Sequence, residues 1–237
     1  MGKNKLARWA EMETFKNVIQ PDSSQLFGRD HPVKGKWKQE IFRNSNPVIL
    51  ELGCGRGEYT VGLSIRFPEN NYIGIDIKGA RMWRGAKTAS ENKIPNAAFL
   101  RTRIEFINSY FAEDEIDEIW LTFPDPHPGK LNSNKRLTCP WFLNVYRNFL
   151  KDGGTIHLKT DNAELFNYTF KIADRNNLHV ISSTSDLHPC KDSGDILSIR
   201  THYEDRFLAE GLKIHYLAFR LEKNRIIKDF PTETGRE

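Results

Sequence analysis

The stretch "PVILELGCGRGEY" at residues 47–59 joins a short apolar run to three glycines at alternate positions. The run PVILEL is rich in branched residues and is ended by glycine, which is typical of a buried strand. Gly53, Gly55 and Gly57 permit the tight turn and close ligand approach that follow the first strand of doubly wound folds. Helical spacing of apolar residues begins directly after them. This strand–loop–helix unit predicts an α/β fold with a ligand at the glycine loop.

The same alternation continues along most of the chain. Predicted strands alternate with predicted helices, which indicates a doubly wound, Rossmann-like sheet of seven mostly parallel strands. No full-length crossover helix stands between the sixth and seventh strands, so we expect an antiparallel last strand. The predicted strands are 47–53, 71–77, 97–102, 117–123, 155–160, 178–184 and 213–221. The predicted helices are 58–67, 79–93, 139–150, 163–176 and a short one near 201–210.

The length of 237 residues, 38% of them hydrophobic, fits one compact domain with a small extension. We expect residues 1–46 to form a basic N-terminal extension, 47–221 the α/β domain and 222–237 a polar, frayed C-terminal tail. No apolar run approaches the ~18 residues of a membrane span. The N-terminus lacks the apolar region of a signal peptide. Three cysteines, widely separated and odd in number, favour a reducing cytoplasm and no metal or disulfide framework.

The excess positive charge of the chain lies in its N-terminal extension. Residues 1–46 hold nine Lys or Arg and five Asp or Glu, a net charge of +4 (9 − 5), whereas the remainder has 26 of each. Trp9, Phe15 and Trp37 stand among these cations. Cations with aromatic side chains suit a phosphate backbone with exposed bases. The same pattern also fits a solvated arm packed by its own aromatics, and charge alone favours this second interpretation.

Two acids accompany the glycine loop. Glu51 directly precedes it, and Asp76 ends the second predicted strand, where doubly wound folds place an acid that reaches ribose hydroxyls. A phosphate ligand would meet the negative charge of Glu51. S-adenosylmethionine would not, because it joins adenosine to a sulfonium cation and an amino acid. The pair therefore favours S-adenosylmethionine over NAD as the cofactor, whereas a plain turn with a surface acid explains Asp76 alone.

The fourth predicted strand runs into "FPDPHPGKLNSNKR" at residues 123–136, which is too irregular for a helix or strand. Asp125 lies between Pro124 and Pro126, whose fixed φ angles stiffen the loop. The loop also follows the carboxyl end of a central strand, where doubly wound folds bind ligands. The residues alone leave two interpretations open, a working carboxylate or a stiff turn with a solvated acid.

Taken together, the motifs resemble those of the TrmB-type tRNA (guanine-N(7)-)-methyltransferases. The resemblance covers about Pro47 to Phe219 and includes ELGCGRG, GIDI, FPDPH, TD at 160–161 and THYE at 201–204, in the family's order. It implies a class I methyltransferase fold and S-adenosylmethionine as the methyl donor. It also implies tRNA as the partner, with N7 of a guanine in the variable loop as the methyl acceptor.

The resemblance assigns roles to individual residues. Asp125 would be the catalytic acid that faces the guanine. Cofactor binding would fall to Glu51, Gly53, Gly55, Asp76, Arg103 and Ile104, and substrate binding to Lys130, Asp161, Thr201, Tyr203 and Glu204. The pair Arg103-Ile104 departs from the Asp or Asn followed by Ala that the family usually has, which leaves backbone contacts for the adenine. Lys130 matches the family's lysine when a gap of one residue is allowed.

The chemistry needs little from a general base, since guanine N7 has a free in-plane lone pair and no proton to lose. Catalysis then depends on positioning and electrostatics. The Asp125 carboxylate could accept hydrogen bonds from guanine N1–H and from the exocyclic amine. These bonds would orient the base and stabilise its developing positive charge. Glu204 could read the guanine edge or be an exposed helix acid. Asp161 could contact substrate or cap the helix that begins near Ala163.

Several alternatives stay open on the residues alone. Lys130, Lys135 and Arg136 could contact tRNA phosphates or only keep the loop soluble. The chain could instead be a methyltransferase acting on an amino nitrogen of another nucleic acid or protein, or an inactive RNA-binding relative. His127 and His157 have no second ligand at useful spacing, so no metal site is expected. The oligomeric state, monomer or homodimer, is not determined.

Overall fold

The computed structural model describes residues 3–21, 29–188 and 194–230. The strands are β1 (Val18–Ile19), β2 (Val48–Leu52), β3 (Asn71–Ile75), β4 (Ala97–Leu100), β5 (Ile116–Thr122), β6 (Leu150–Thr160), β7 (Val180–Thr184) and β8 (His215–Leu221). The helices are α1 (Lys3–Glu13), α2 (Glu58–Arg66), α3 (Gly79–Glu91), α4 (Pro140–Tyr146), α5 (Ala163–Arg175), α6 (Gly194–Leu197) and α7 (His202–Ala209). Shorter helical turns of other types span Trp37–Phe42, Ile104–Ser109 and Lys130–Lys135.

The strands form a single eight-stranded sheet in the order β1-β4-β3-β2-β5-β6-β8-β7. All pairs from β1 to β6 are parallel, and β8 is antiparallel to both of its neighbours. The doubly wound sheet and its antiparallel last strand are therefore confirmed. The order reverses at β2, so the carboxyl ends of β2 and β5 border a crevice of the kind that binds ligands in open α/β sheets.

The predicted strand number of seven is wrong by one. The additional strand, β1, pairs Val18 and Ile19 with Phe99 and Leu100 of β4. The amide of Phe99 donates to the carbonyl of Asn17 over 2.8 Å. A strand of two residues has no periodicity that a sequence pattern could reveal. Its effect is to pair the edge of β4, which would otherwise present free backbone groups.

The turn after β2 enters the left-handed region at three glycines, Gly53, Gly55 and Gly57. Gly53 has φ of 76° and Gly57 has φ of 69°, in the left-handed region that costs other residues free energy. A Cβ atom on Gly57 would also lie 2.6 Å from the ring of Phe99. The turn is closed by the amides of Gly53 and Cys54, which donate to the carbonyl of Ile75 over 2.8 and 3.0 Å. The N-terminus of α2 is thereby brought to the crevice.

Helices cover both faces of the sheet, as the alternation of strand side chains requires. On one face, Phe142 and Tyr146 of α4 and Leu165 of α5 pack with strand residues such as Ile119. On the other, α1, α2 and α3 pack through a cluster that includes Met12, Val61, Met82 and Phe99. The N-terminal extension thus contributes to the core. Trp37 is also fully buried, and its Nε1 donates to the carbonyl of Tyr110 over 2.9 Å.

The C-terminal segment is fastened as far as residue 230. Ile227 is buried, and its carbonyl accepts a hydrogen bond of 2.9 Å from the side chain of Asn144. The side chain of Asn176 donates to the carbonyl of Lys228 over 3.0 Å. The expected fraying is therefore wrong for residues 222–230, and 231–237 lie outside the described residues.

Two of the three cysteines fall in the part of the chain that the structure describes. Cys54 and Cys139 are buried, free thiols, and Cys190 lies outside the described residues. Among the described helices, none has the length and apolar character needed to cross a membrane.

Candidate active site

A cavity of about 1020 Å³ opens at the carboxyl ends of the central strands. Its size accommodates a cofactor and a substrate group together. The predicted site residues that line it are Glu51, Gly53, Gly55, Asp76, Arg103, Ile104, Asp125, Asp161, Thr201 and Tyr203. Glu204 is buried away from it, and the side chain of Lys130 lies outside the described residues. The structure therefore brings both predicted halves of the site into one space.

Asp76 is held by backbone amides directly after β3. Its Oδ2 accepts from the amide of Gly55 over 2.9 Å, and its Oδ1 accepts from the amide of Lys78 over 2.7 Å. Each carboxylate oxygen keeps a second lone pair for a ligand. The first bond also ties Asp76 to the glycine loop, so the two predicted cofactor elements form one unit.

Glu51 is a buried acid, with 3% of its surface exposed. Its carboxylate accepts from the hydroxyls of Thr60 and Thr122 and, over 2.8 Å, from the amide of Thr60. Burial raises the pKa of Glu51 to about 7, and these hydrogen bonds act in the opposite direction. A cationic ligand beside it would favour its ionised form, whereas a phosphate would oppose it. The residues at this end of the cavity therefore fit S-adenosylmethionine.

Arg103 and Ile104 form another part of the cavity wall, after β4. The guanidinium of Arg103 lies 3.0 Å from the carboxylate of Glu105 and above the ring of Phe106. The guanidinium is therefore held by contacts with residues two and three positions further along the chain. Ile104 contributes an apolar side chain to the lining.

The loop that carries Asp125 has an unusual backbone. Phe123 and His127, at its two ends, have φ of 49° and 43°. Non-glycine residues rarely adopt this left-handed region, and they do so where surrounding contacts impose it. Pro124 and Pro126 fix two further φ angles between them. Asp125 is exposed, and its carboxylate has no hydrogen-bond or ion-pair partner in the parts of the chain that the structure describes.

Arg136 supplies the contacts that impose this loop conformation. Its guanidinium donates to the carbonyls of Pro126 and His127 over 3.0 and 3.1 Å. It also lies 2.5 Å from the carboxylate of Glu164 and above the ring of Tyr168. With 3% of its surface exposed, Arg136 is not available for a phosphate, so that expectation is wrong. Lys135 is exposed and lines the cavity.

Aromatic side chains form the wall beside the loop. The ring centroids of Phe123 and Phe207 are 5.6 Å apart, and those of Phe207 and Tyr203 are 6.4 Å apart. Trp141, at the start of α4, also lines the cavity and is 52% exposed. Sequence reasoning missed Phe207 and Trp141. For Phe207 a signal existed, since it stands four residues after Tyr203 and so on the same face of α7.

Asp161 lines the cavity but does not cap α5. The N-cap is Asn162, whose side chain accepts from the amide of Leu165 over 2.8 Å. The capping interpretation of Asp161 is therefore wrong. Burial raises the pKa of Asp161. Helix capping therefore does not account for an acid at this position of the cavity wall.

Thr201 and Glu204 have different surroundings although they stand three residues apart. Thr201 lines the cavity and caps α7, where its hydroxyl accepts from the amide of Glu204 over 3.2 Å. Glu204 has no exposed surface, so the interpretation as an exposed helix acid is wrong. Its carboxylate oxygens lie 2.8 Å from Nζ of Lys159 and 3.1 Å from Nε2 of His188.

The described residues hold no group of three or more His, Cys, Asp or Glu that could bind a metal ion. His157 is instead part of a stacked array on the sheet. Its ring lies 4.0 Å from that of Trp120, and its Nδ1 is 2.8 Å from the hydroxyl of Tyr216.

The sheet order, the glycine loop and the acid after β3 define a class I methyltransferase. A 16S rRNA methyltransferase, KamB, has a similar fold, with a TM-score of 0.58 and 12% identity over 78% of this chain and 92% of that chain. An antibiotic-related methyltransferase has a TM-score of 0.59 and 16% identity over 87% of this chain and 97% of its own. At these identities the likeness establishes the fold.

Sequence comparison identifies the family. A family model described as putative methyltransferase matches residues 45–217. The tRNA (guanine-N(7)-)-methyltransferase of Bacteroides thetaiotaomicron is 48% identical over 97% of this chain and 90% of its own length. That of Porphyromonas gingivalis is 50% identical over 89% of this chain and 86% of its own length. The chain therefore belongs to the TrmB-type tRNA (guanine-N(7)-)-methyltransferase family.

Proposed function

We propose that this chain is an enzyme that transfers a methyl group from S-adenosylmethionine to N7 of a guanine in the variable loop of tRNA, in the cytoplasm. The relatives that carry this activity in their names cover nearly the whole chain. The observation that carries the proposal is the placement of an exposed carboxylate without a partner among the described residues, Asp125, in the same cavity as the glycine loop.

The cofactor end of the cavity would hold the methyl donor, which supplies a methyl group on a positively charged sulfur when it is bound. Asp76 would accept from the ribose hydroxyls through the lone pairs that its amide partners leave free. Glu51 would favour the positive charge of the ligand, because ionised Glu51 is buried and has no cation of its own among the described residues. The glycine loop permits the backbone to approach the ligand closely.

The guanine end would hold the methyl acceptor. Asp125 would accept from guanine N1–H and the exocyclic amine, and so present N7 in a fixed direction. As the methyl group moves, positive charge develops on the guanine ring, and the carboxylate stabilises that charge. No proton has to leave N7 before the attack, so Asp125 acts by position and charge. The backbone conformation imposed by Arg136 means that this position exists before the base arrives.

The aromatic wall supports a purine substrate. Phe123, Tyr203 and Phe207 line the cavity that carries Asp125, and their rings contact one another in sequence. Stacking on aromatic side chains is the usual way in which proteins hold an unstacked RNA base. Asp161 and Thr201, which line the same region, are placed to contact the nucleotide.

A layer of cations and indole rings is suited to the tRNA backbone, and it lies on α1, on α3 and at the residue that follows β4. We call it the indole–cation layer, and it consists of Lys5, Arg8, Trp9, Trp83, Lys87 and Arg101. The cation-to-ring distances are 4.6 Å (Lys5 to Trp9), 4.4 Å (Arg101 to Trp9), 4.7 Å (Arg8 to Trp83) and 5.0 Å (Lys87 to Trp83). The rings hold the cations in place, which reduces the entropy lost when phosphates bind. Lys135, which is exposed and lines the cavity, would extend the contact toward it.

The test is methylation of total tRNA with S-adenosylmethionine labelled in the methyl group. Borohydride treatment followed by chain cleavage would then map N7-methylated guanines. We expect label in tRNA and a cleavage site in the variable loop. Label at an exocyclic amino group, or in protein and not in tRNA, would contradict the proposal and favour a methyltransferase of amino nitrogens. An absence of transfer to any RNA would favour an inactive RNA-binding relative.

A further inference from the structure

A fully buried ion pair lies beside the guanine end of the cavity. Lys159 on β6 and Glu204 on α7 both have 0% exposed surface, and Nζ lies 2.8 Å from Oε2. Burial lowers the pKa of Lys159, and the charge of Glu204 acts in the opposite direction. A buried lysine is costly unless every N–H finds an acceptor. Such a pair needs an explanation, and the chemistry of methyl transfer does not use it.

The ammonium group of Lys159 holds one segment of the chain at three points. Besides the Glu204 carboxylate, it donates to the carbonyls of Leu197 and Ile199, both over 3.1 Å. The ammonium group thus has two hydrogen-bond acceptors and one ion-pair partner, all of them in residues 197–204. This segment joins α6 to α7 and carries two residues that line the cavity.

The backbone of Lys159 holds the other half of the guanine end. Its carbonyl accepts from the amide of Phe123 over 2.7 Å, at the residue where the Asp125 loop begins. One residue is thus bonded through its main chain to the loop that carries Asp125 and through its side chain to the segment that carries Tyr203. Lys159 is therefore placed to set the distance between the two.

The local sequence would give Glu204 a different partner. Thr201-His-Tyr-Glu204 has the pattern of a capping box, in which the glutamate reaches back to the amide of the N-cap residue. Thr201 performs its half, since its hydroxyl accepts from the Glu204 amide over 3.2 Å. The carboxylate instead meets Lys159 and His188. The Glu204 carboxylate therefore connects α7 to β6 of the sheet and does not cap its own helix.

We propose that Lys159 is a positioning residue for methyl transfer. Through Glu204 and two carbonyls it holds residues 197–204 against the Asp125 loop, and Glu204 itself does not contact the base. The inference rests on the proposed function, because the residues that it places are those proposed to hold guanine. The competing assignment is a direct contact between Glu204 and the guanine edge.

Variants of the pair separate the two assignments in the full-length protein. Lys159→Met leaves the buried Glu204 carboxylate with His188 but without its lysine, and Glu204→Leu leaves the buried Lys159 ammonium without its carboxylate. Each is expected to lower single-turnover transfer to tRNA by roughly tenfold or more. The Kd for S-adenosylmethionine should stay within about twofold, because the cofactor end is untouched. The double variant, Lys159→Met with Glu204→Leu, removes both charges of the pair. Its single-turnover rate should exceed that of Glu204→Leu by about fivefold or more.

The control is Lys151→Met on the same strand. Lys151 pairs with Asp117, but 45% of its side chain is exposed, so its loss should change the rate by less than about twofold. A double variant no faster than Glu204→Leu would overturn the inference, as would a Lys159→Met rate within about twofold of wild type. Glu204→Gln covers the case in which the single variants do not fold. It should keep about a tenth or more of the activity, and a loss beyond about a hundredfold would overturn the inference.

Hydrogen exchange tests the inference without any assumption about activity. The amides of Glu204 and Asp205 bond to the side chain and the carbonyl of Thr201, so their exchange reports whether the segment is held. Lys159→Met should speed their exchange by roughly tenfold, and Lys151→Met should not. Unchanged exchange in Lys159→Met would overturn the inference. A wild-type protein that fails to methylate tRNA would contradict only the proposed function.

Discussion

The two ends of the cavity are built in opposite ways. At the cofactor end the protein occupies the carboxylates: Asp76 accepts from two backbone amides, and Glu51 accepts from Thr60 and Thr122. At the guanine end the protein binds the backbone of the loop and leaves the Asp125 carboxylate exposed and without a partner among the described residues. Hydrogen bonds thus fix the acidic side chains at the cofactor end, whereas at the guanine end they fix the backbone of the loop that carries Asp125.

This difference separates folding from function. An acid that is buried and hydrogen-bonded affects the free energy of unfolding as well as ligand binding. An exposed acid on a fixed loop affects only what binds to it. We therefore expect loss of the Asp125 carboxylate to abolish transfer without loss of stability. A change of Glu51 should raise the free energy of unfolding and weaken cofactor binding.

The largest expected effect is that of Asp125→Ala. Transfer to tRNA should fall by roughly a thousandfold, because the base loses its orienting contact and the stabilisation of its charge. The Kd for S-adenosylmethionine and the melting temperature should not change. Calorimetry, thermal unfolding and single-turnover transfer measure the three quantities. Asp174→Ala, an exposed acid of α5, is the control. Transfer retained by Asp125→Ala would remove the residue from its assigned role.

Arg136→Met should produce the next largest effect. It removes the hydrogen bonds to two loop carbonyls and leaves Glu164 without its cationic partner. We expect transfer to fall by roughly a hundredfold and cofactor affinity to change by less than about threefold. The melting temperature should also fall, since the guanidinium is buried. A loss of cofactor affinity as large as the loss of transfer would contradict the independence of the two ends of the cavity.

Glu51→Gln should raise the free energy of unfolding and weaken cofactor binding. The pKa of Glu51 is raised from 4.5 to about 7, so between these values the folded state holds a proton that the unfolded state loses. Stability from this group therefore falls as the pH rises through that window. At about pH 8 the cofactor-free variant should be more stable than wild type by on the order of 1–3 kcal/mol.

The same variant should bind S-adenosylmethionine about tenfold more weakly at about pH 8, because it lacks the negative charge. Denaturant unfolding at about pH 5 and about pH 8 provides the internal control, since the gain in stability should be small at the lower value. Equal gains at both pH values would mean that Glu51 does not titrate in this window.

The indole–cation layer should give the smallest effect. Met12 and Trp37 are buried, so deletion of residues 1–46 would damage the core, and point variants are needed. Arg8→Ala with Arg101→Ala should weaken tRNA binding and reduce its salt slope by about two, because each guanidinium would neutralise one phosphate. Lys171→Ala on the opposite side of the sheet should leave the slope unchanged. An unchanged slope in the double variant would assign the layer to packing alone.

Much of the fold was predictable because it depends on local patterns. The buried strands and the glycine turn have periodicities or conformations that few residues satisfy, so elements such as β2 and α2 agree with prediction to within two residues. The placement of Glu51, Asp76 and Asp125 at the cavity was predictable for the same reason, since each stands at or just after the end of a strand, and their roles stay predictions.

The partners of charged groups were not predictable. Arg136 stands in a run of polar residues that suggests a solvated loop, and only the fold shows that its guanidinium turns inward to Pro126 and His127. Lys159 and Glu204 lie 45 residues apart in sequence and meet because β6 and α7 pack together. Such contacts leave no local signature, because their spacing is set by tertiary structure.

A double-mutant cycle with the substrate would show whether Asp125 holds the Watson–Crick edge of guanine. Single-turnover transfer would be measured for wild type and Asp125→Asn on tRNA that carries guanosine or inosine at the target. Inosine lacks the exocyclic amine, so we predict that it slows the wild-type protein by about tenfold and Asp125→Asn by less than about twofold. Equal penalties in both proteins would contradict the contact.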